Sequence, residues 1–114
     1  MYRKFEDSFV GNVAVLTVNL KHATMTEASR FKEFANKVID AGANKIVVDL
    51  KSCLIIDSTF IGALVSSLKK VTSNGGNLRL VIDNTPQSNI FMLTGISKVF
   101  KIYPNLDEAL NSFE

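Results

Sequence analysis

Apolar residues along this chain change their spacing from one stretch to the next, and the changes mark out elements. Residues 2–9 carry Tyr2, Phe5 and Phe9 as their apolar content and read as a first strand. Val10-Gly11-Asn12 signals a turn. Residues 13–20 are then rich in β-branched and aliphatic side chains, the composition of a second strand. So short a connection makes the pair an antiparallel hairpin. After the polar break Lys21-His22-Ala23 the spacing becomes helical. Ala28, Phe31, Ala35, Val38 and Ile39 share one face, which predicts a helix over about 25–41. Thr24 and Glu27 have capping-box spacing at its start, and Gly42 stands at its end.

Lys45-Ile46-Val47-Val48-Asp49-Leu50 is a nearly continuous apolar run, which suits a central strand covered on both faces. Leu54-Ile55-Ile56 leads from it to Asp57. Phe60, Ile61, Leu64, Val65, Leu68 and Val71 then form the apolar face of a helix over 59–73, closed by Asn74-Gly75-Gly76. Residues 78–82 read as the next strand, so 45–82 is a βαβ unit with parallel strands and a right-handed crossover. Thr85-Pro86 opens a shorter helix with Ile90, Phe91 and Leu93 on its apolar side and Gly95 at its end. Residues 99–103 read as a last strand. Asn105 caps a final helix with Leu106, Ala109, Leu110 and Phe113 on its apolar face. The order β-β-α-β-α-β-α-β-α predicts an α/β fold over residues 1–114: a single domain, with one mixed sheet and about four helices packed on it. Binding surfaces of such sheets lie at the carboxyl ends of the strands, which puts Asp57 on that rim.

Composition narrows the possibilities. With 114 residues, 46% of them hydrophobic, the chain can bury one core. A net charge of +2, with lysines and acids interspersed, gives no basic stripe for nucleic acid. The one cysteine, Cys53, cannot form an internal disulfide, which fits a reducing compartment. No apolar run approaches the ~20 residues that span a bilayer, and Met1-Tyr2-Arg3-Lys4-Phe5-Glu6-Asp7 lacks the apolar segment of a secretory signal. The expectation is a soluble cytoplasmic protein with no membrane partner.

Asp57-Ser58-Thr59-Phe60-Ile61-Gly62 is where candidate chemistry concentrates. It puts a carboxylate and two hydroxyls where a loop turns into a helix. Backbone N–H groups at a helix start lack partners and form the positive end of the helix dipole, so a phosphate on Ser58 or Thr59 is accommodated there. The plainer alternative is that one of these residues simply caps the helix.

Taken in order, several stretches resemble a STAS domain (sulfate transporter and anti-sigma factor antagonist), above all the free-standing bacterial anti-sigma factor antagonists. They are Lys45-Ile46-Val47-Val48-Asp49-Leu50, Ile56-Asp57-Ser58-Thr59, Ile61-Gly62, Leu64-Val65, Gly75-Gly76, Leu93-Thr94-Gly95-Ile96 before Val99-Phe100, and Glu108-Ala109-Leu110. The resemblance implies a partner switch. The unmodified antagonist binds an anti-sigma factor that is also a serine kinase, and so releases a sigma factor. Phosphorylation of the serine after the motif aspartate, here Ser58, dissolves the complex, and a serine phosphatase restores it. Asp57 would orient or cap the site, and Thr59 would be a neighbouring contact. Two residues depart from the family pattern. Phe60 replaces the first motif glycine, and either covers the site or offers an apolar anchor beside Ile61. Lys21 replaces an acidic residue of the loop before the first helix, and either alters partner choice or pairs with a phosphate on Ser58.

The remaining candidates are plainer. His22 is the one histidine, with no acids clustered at ligand spacing, so neither a metal site nor a Ser–His catalytic pair is expected. Cys53 reads as a packed thiol. Gly75-Gly76 ends a helix and lacks the spacing of a phosphate loop. Lys69-Lys70 reads as a solvated face, and Phe31 and Phe91 as core. The resulting expectation is a non-enzymatic binding module without metal or cofactor. Asp57, Thr59, Phe60, Ile61 and Lys21 form its partner rim around Ser58. A scaffold or self-associating STAS protein without a phospho-switch is the alternative, a homodimer remains open, and a nucleotide-binding protein stands third.

Overall fold

A computed structural model describes residues 3–82 and 95–113 of the chain. Strands β1 (Phe5–Val10) and β2 (Val13–Val18) form the expected antiparallel hairpin, with Val10 opposite Val13. Gly11 takes φ +60° in the two-residue turn, a conformation that glycine adopts without steric cost. Then come β3 (His22–Ala23), α1 (Met25–Asp40), β4 (Lys45–Asp49), β5 (Ile55–Ile56), α2 (Ser58–Ser73) and β6 (Asn77–Val81). One turn of 3-10 helix, Ile96–Lys98, precedes β7 (Lys101–Tyr103) and α3 (Leu106–Asn111).

The main sheet runs β1-β2-β4-β6-β7, and every neighbouring pair after β1–β2 is parallel. Alternation along the strands divides the core. Ala14, Leu16 and Val18, Ile46 and Val48, and Leu78 and Leu80 face α1 and α2. Val13, Val47 and Val81 face the other way, onto Ala109 of α3, with Tyr103, Leu110 and Phe113 around them. Both faces of β4 are therefore covered, and 46–50 is buried throughout, as its continuous apolar run predicts. Gly76 lies against the segment that leads into β4. A Cβ there would overlap the Asn44 carbonyl, whose oxygen accepts the Asn77 N–H as β6 begins.

The mixed α/β sheet matches the expected fold, and three α-helices lie among the described residues. The helix expected between Thr85 and Gly95 falls outside them. Other expectations need correction. The polar break 21–23 holds a two-residue strand, β3, which pairs in parallel with β5 to form a separate small sheet. The last strand begins at Lys101 rather than Val99. Val99 is exposed, while Phe100 turns into the core. The capping box at α1 does not form. Thr24 makes no side-chain cap, and Glu27 is buried against Lys4, whose Nζ lies 2.7 Å from its Oε2.

Candidate functional site

The first residue of the site is held from four directions. Asp57 follows β5 in extended backbone (φ −89°, ψ 171°) and is the N-cap of α2. Its Oδ1 accepts the Phe60 N–H at 2.9 Å, and its Oδ2 accepts the Met25 N–H at 2.8 Å. Its own N–H donates to the Ala23 carbonyl at 3.0 Å, and its carbonyl accepts the Ile61 N–H at 3.0 Å. One carboxylate thus caps two helices at once. Each helix start carries unsatisfied N–H groups and partial positive charge, so an anion between two of them is stabilised by both. The Lys21 carbonyl extends the stitching, accepting the Leu54 and Ile55 N–H groups at 2.7 and 3.0 Å. The segment around 21–25 and the segment around 54–58 form a single platform.

Ser58 and Thr59 occupy the first two positions of α2, one residue earlier than the helix start expected from spacing, and both are exposed. Among the described residues neither hydroxyl has a hydrogen-bond partner. Lys21 is exposed on the same platform and forms no ion pair among the described residues. Asp57, Ser58, Thr59 and Lys21 are therefore brought together at one rim.

Phe60 and Ile61 are not accessible on that rim. With Asp57 as N-cap, positions 60, 61, 64, 67 and 71 of α2 turn inward. Phe60 is wholly buried, and its ring centroid lies 5.2 Å from that of Phe31, which in turn meets Phe5 at 5.6 Å. Ile61 is 5% exposed. The large ring that replaces glycine thus adds to the core instead of offering an anchor.

Three exposed apolar residues that sequence reasoning missed lie on the same platform. Met25, Leu54 and Ile55 expose 67, 56 and 48% of their surfaces. Met25 opens α1 and shares the Asp57 carboxylate, while Leu54 and Ile55 come just before it in the chain. A run of three apolar residues, 54–56, gives no sequence signal that only Ile56 is buried. Beside Thr59, a shallow cleft of about 240 Å³ runs between α1 and α2. Ser29, Lys32, Thr59, Gly62 and Ser66 are among the residues that line it.

The other candidates stay plain. Cys53 is fully buried, and burial, with the Asp49 charge second, pushes its thiol up to about 12, which leaves it protonated and unreactive. His22 is exposed, in β3. Among the described residues no group of three or more His, Cys, Asp and Glu side chains could hold a metal ion, and no helix is long and apolar enough to cross a membrane.

Comparison with known proteins gives a consistent picture. A relative from Thermotoga maritima, provisionally named an anti-sigma factor antagonist, is 33% identical over 110 residues, covering 93% of this chain and 94% of its own length. A relative from Paenibacillus polymyxa, an anti-sigma F factor antagonist, is 29% identical over 69 residues, covering 60% of this chain and 59% of its own. A crystal structure of a T. maritima protein, provisionally named an anti-sigma factor antagonist, superposes with a TM-score of 0.87 at 31% identity, covering 95% of this chain and 92% of that one. The STAS domain model matches residues 8–109, and the chain therefore belongs to the STAS domain family.

Proposed function

We propose that this chain is an anti-sigma factor antagonist, a non-enzymatic binding module switched by phosphorylation of Ser58. In its unmodified form the rim of Lys21, Asp57, Ser58 and Thr59, with the apolar collar of Met25, Leu54 and Ile55, binds an anti-sigma factor that is also a serine kinase. Binding frees the sigma factor. Phosphate on Ser58 ends the complex, and a serine phosphatase resets it.

The observation that carries this proposal is the exposed Ser58 at the first turn of α2, on a platform whose apolar Met25, Leu54 and Ile55 are exposed as well. An apolar surface of this kind suits a protein partner. A phosphate adds about −1.5 to −2 charges and three acceptor oxygens. In the free protein the unpaired N–H groups of α2 and the nearby Lys21 favour that charge. In a complex the same group must be stripped of water against Met25, Leu54 and Ile55. A differential cost of ~3 kcal/mol weakens binding by roughly 150-fold, with no change of fold.

The test uses the unmodified protein, the kinase-phosphorylated protein and the Ser58→Ala variant, titrated calorimetrically into an anti-sigma factor kinase. Binding by the unmodified protein and by Ser58→Ala, with loss on phosphorylation of Ser58, is the expected result. Equal affinity for the homogeneously phosphorylated protein would refute the switch.

A further inference from the structure

β1 is an edge of the five-stranded sheet, paired with β2 on one side and with no strand on the other among the described residues. The hairpin fixes which of its backbone groups are free. Val10 and Val13 close a two-residue turn and exchange hydrogen bonds, and the Asn19 N–H bond to the Lys4 carbonyl, 2.7 Å, keeps the same phase. Glu6, Ser8 and Val10 therefore bond toward β2, while Phe5, Asp7 and Phe9 turn their N–H and C=O groups outward. An open edge of this kind is a template for another strand.

Two features beside this edge point to what covers it. Phe9 and Val10 expose 61 and 49% of their surfaces. Next to Phe9 lies a hollow of about 280 Å³ between β1 and the C-terminal half of α1. Phe9 forms one side of it and Phe34, Val38, Ala41 and Ala43 the rest, with Asp7 and Lys37 adding one charge of each sign. A protruding aromatic beside a hollow that it does not fill, with both charges at hand, is self-complementary, as a twofold interface requires.

We propose that β1 pairs antiparallel with β1 of a second copy, and that Phe9 of each copy enters the hollow between β1 and α1 of the other. Charge selects the register. A dyad at Asp7 would set two carboxylates face to face, which is unfavourable. A dyad at Ser8 instead sets Asp7 opposite the partner's Phe9, and Glu6 opposite the partner's Val10. Asp7 and Phe9 lie on the face of the sheet that carries the hollow. The partner's Phe9 then stands over the hollow, and the partner's Asp7 approaches Lys37. The dimer leaves the Ser58 platform open, because Phe9 and Val10 stand beside the amino end of β2 and the platform lies beyond the carboxyl end of β4. It holds whether or not Ser58 is phosphorylated.

Sedimentation equilibrium of the full chain over a concentration series tests this, with far-UV circular dichroism as the control for folding. The expected result is a reversible monomer–dimer equilibrium that Phe9→Lys weakens at least about tenfold. Asp7→Pro, which removes an outward N–H that β2 does not use, weakens it too. Asp7→Lys and Lys37→Asp each weaken it, and together they recover the wild-type dissociation constant. A monomer at every concentration would overturn the proposal. So would a dimer indifferent to both Phe9→Lys and Asp7→Pro, or a folded double charge-swap variant that stays as weak as the single ones.

Discussion

Asparagine and aspartate are nearly equivalent at ordinary helix N-caps, because one side-chain oxygen is enough. Asp57 needs two. Its Oδ1 serves the Phe60 N–H and its Oδ2 the Met25 N–H. Asp57→Asn keeps one acceptor and replaces the other by an amide NH₂, which cannot accept an N–H. It also removes the negative charge between two positive helix ends. Losing a bond to a charged acceptor costs ~1.5–3 kcal/mol, and the half-buried position of Asp57 places the loss near the lower end, about 1.5 kcal/mol. Asp57→Ala loses both bonds, for about 2–3 kcal/mol in total. Urea unfolding at neutral pH, read from midpoints at a constant m-value, measures both. An Asp57→Asn variant within about 0.5 kcal/mol of wild type would show that the second cap contributes nothing, and would refute the reasoning.

Phe60→Gly, which restores the family's residue, empties a wholly buried site and adds a helical glycine. The expected loss is about 4 kcal/mol, and a thermal melt shifted by only a degree or two would place the ring outside the core. Gly62→Ala adds a Cβ that meets nothing within 4 Å, at an exposed helical position. It should stabilise the chain by ~0.5–1 kcal/mol in the same assay, and a loss of stability would contradict the open space seen there. Alkaline pH should act on Cys53. Its folded pKa of about 12 lies above the ordinary thiol value of 9.0, so above pH 9 the unfolded chain loses a proton that the folded chain keeps. Stability therefore falls as pH rises from about 9 towards 12. Cys53→Ala should have the shallower decline in paired urea titrations, and parallel slopes would count against the burial of the thiol.

The main layout was legible in the sequence wherever an element is long enough to repeat its pattern. The run 45–50, the apolar face from Phe60 to Val71 and the turn at Gly11 each carry several concordant signals. What could not be read there depends on residues far apart in the chain. β3 and β5 have two residues each, too few for any period, and each exists because the other is beside it. The spacing of Thr24 and Glu27 suggested a local cap, but the Thr24 hydroxyl meets that of Thr26, Lys4 holds the Glu27 carboxylate, and Asp57, 32 residues away, takes the Met25 N–H. Ser58 was legible as a candidate from its motif. The burial of Phe60 was not, because the phase of α2 depends on which residue serves as its N-cap. The exposure of Leu54 and Ile55 was hidden because an apolar run looks the same whichever of its members faces water.

The pairing of β3 with β5, sealed by Asp57, also bears on what a modifying enzyme can recognise. No continuous peptide around Ser58 contains Lys21 or Met25, and none can reproduce a carboxylate shared between two helix ends. Under the proposed switch, the surface that a kinase or phosphatase would meet is a discontinuous epitope. It appears only after β2, α1 and β4 have folded and brought residues 21–25 against 54–58. Modification of Ser58 through this surface would report that the chain is native as well as that a signal has arrived. A nascent or damaged copy would be passed over even though its linear sequence is intact.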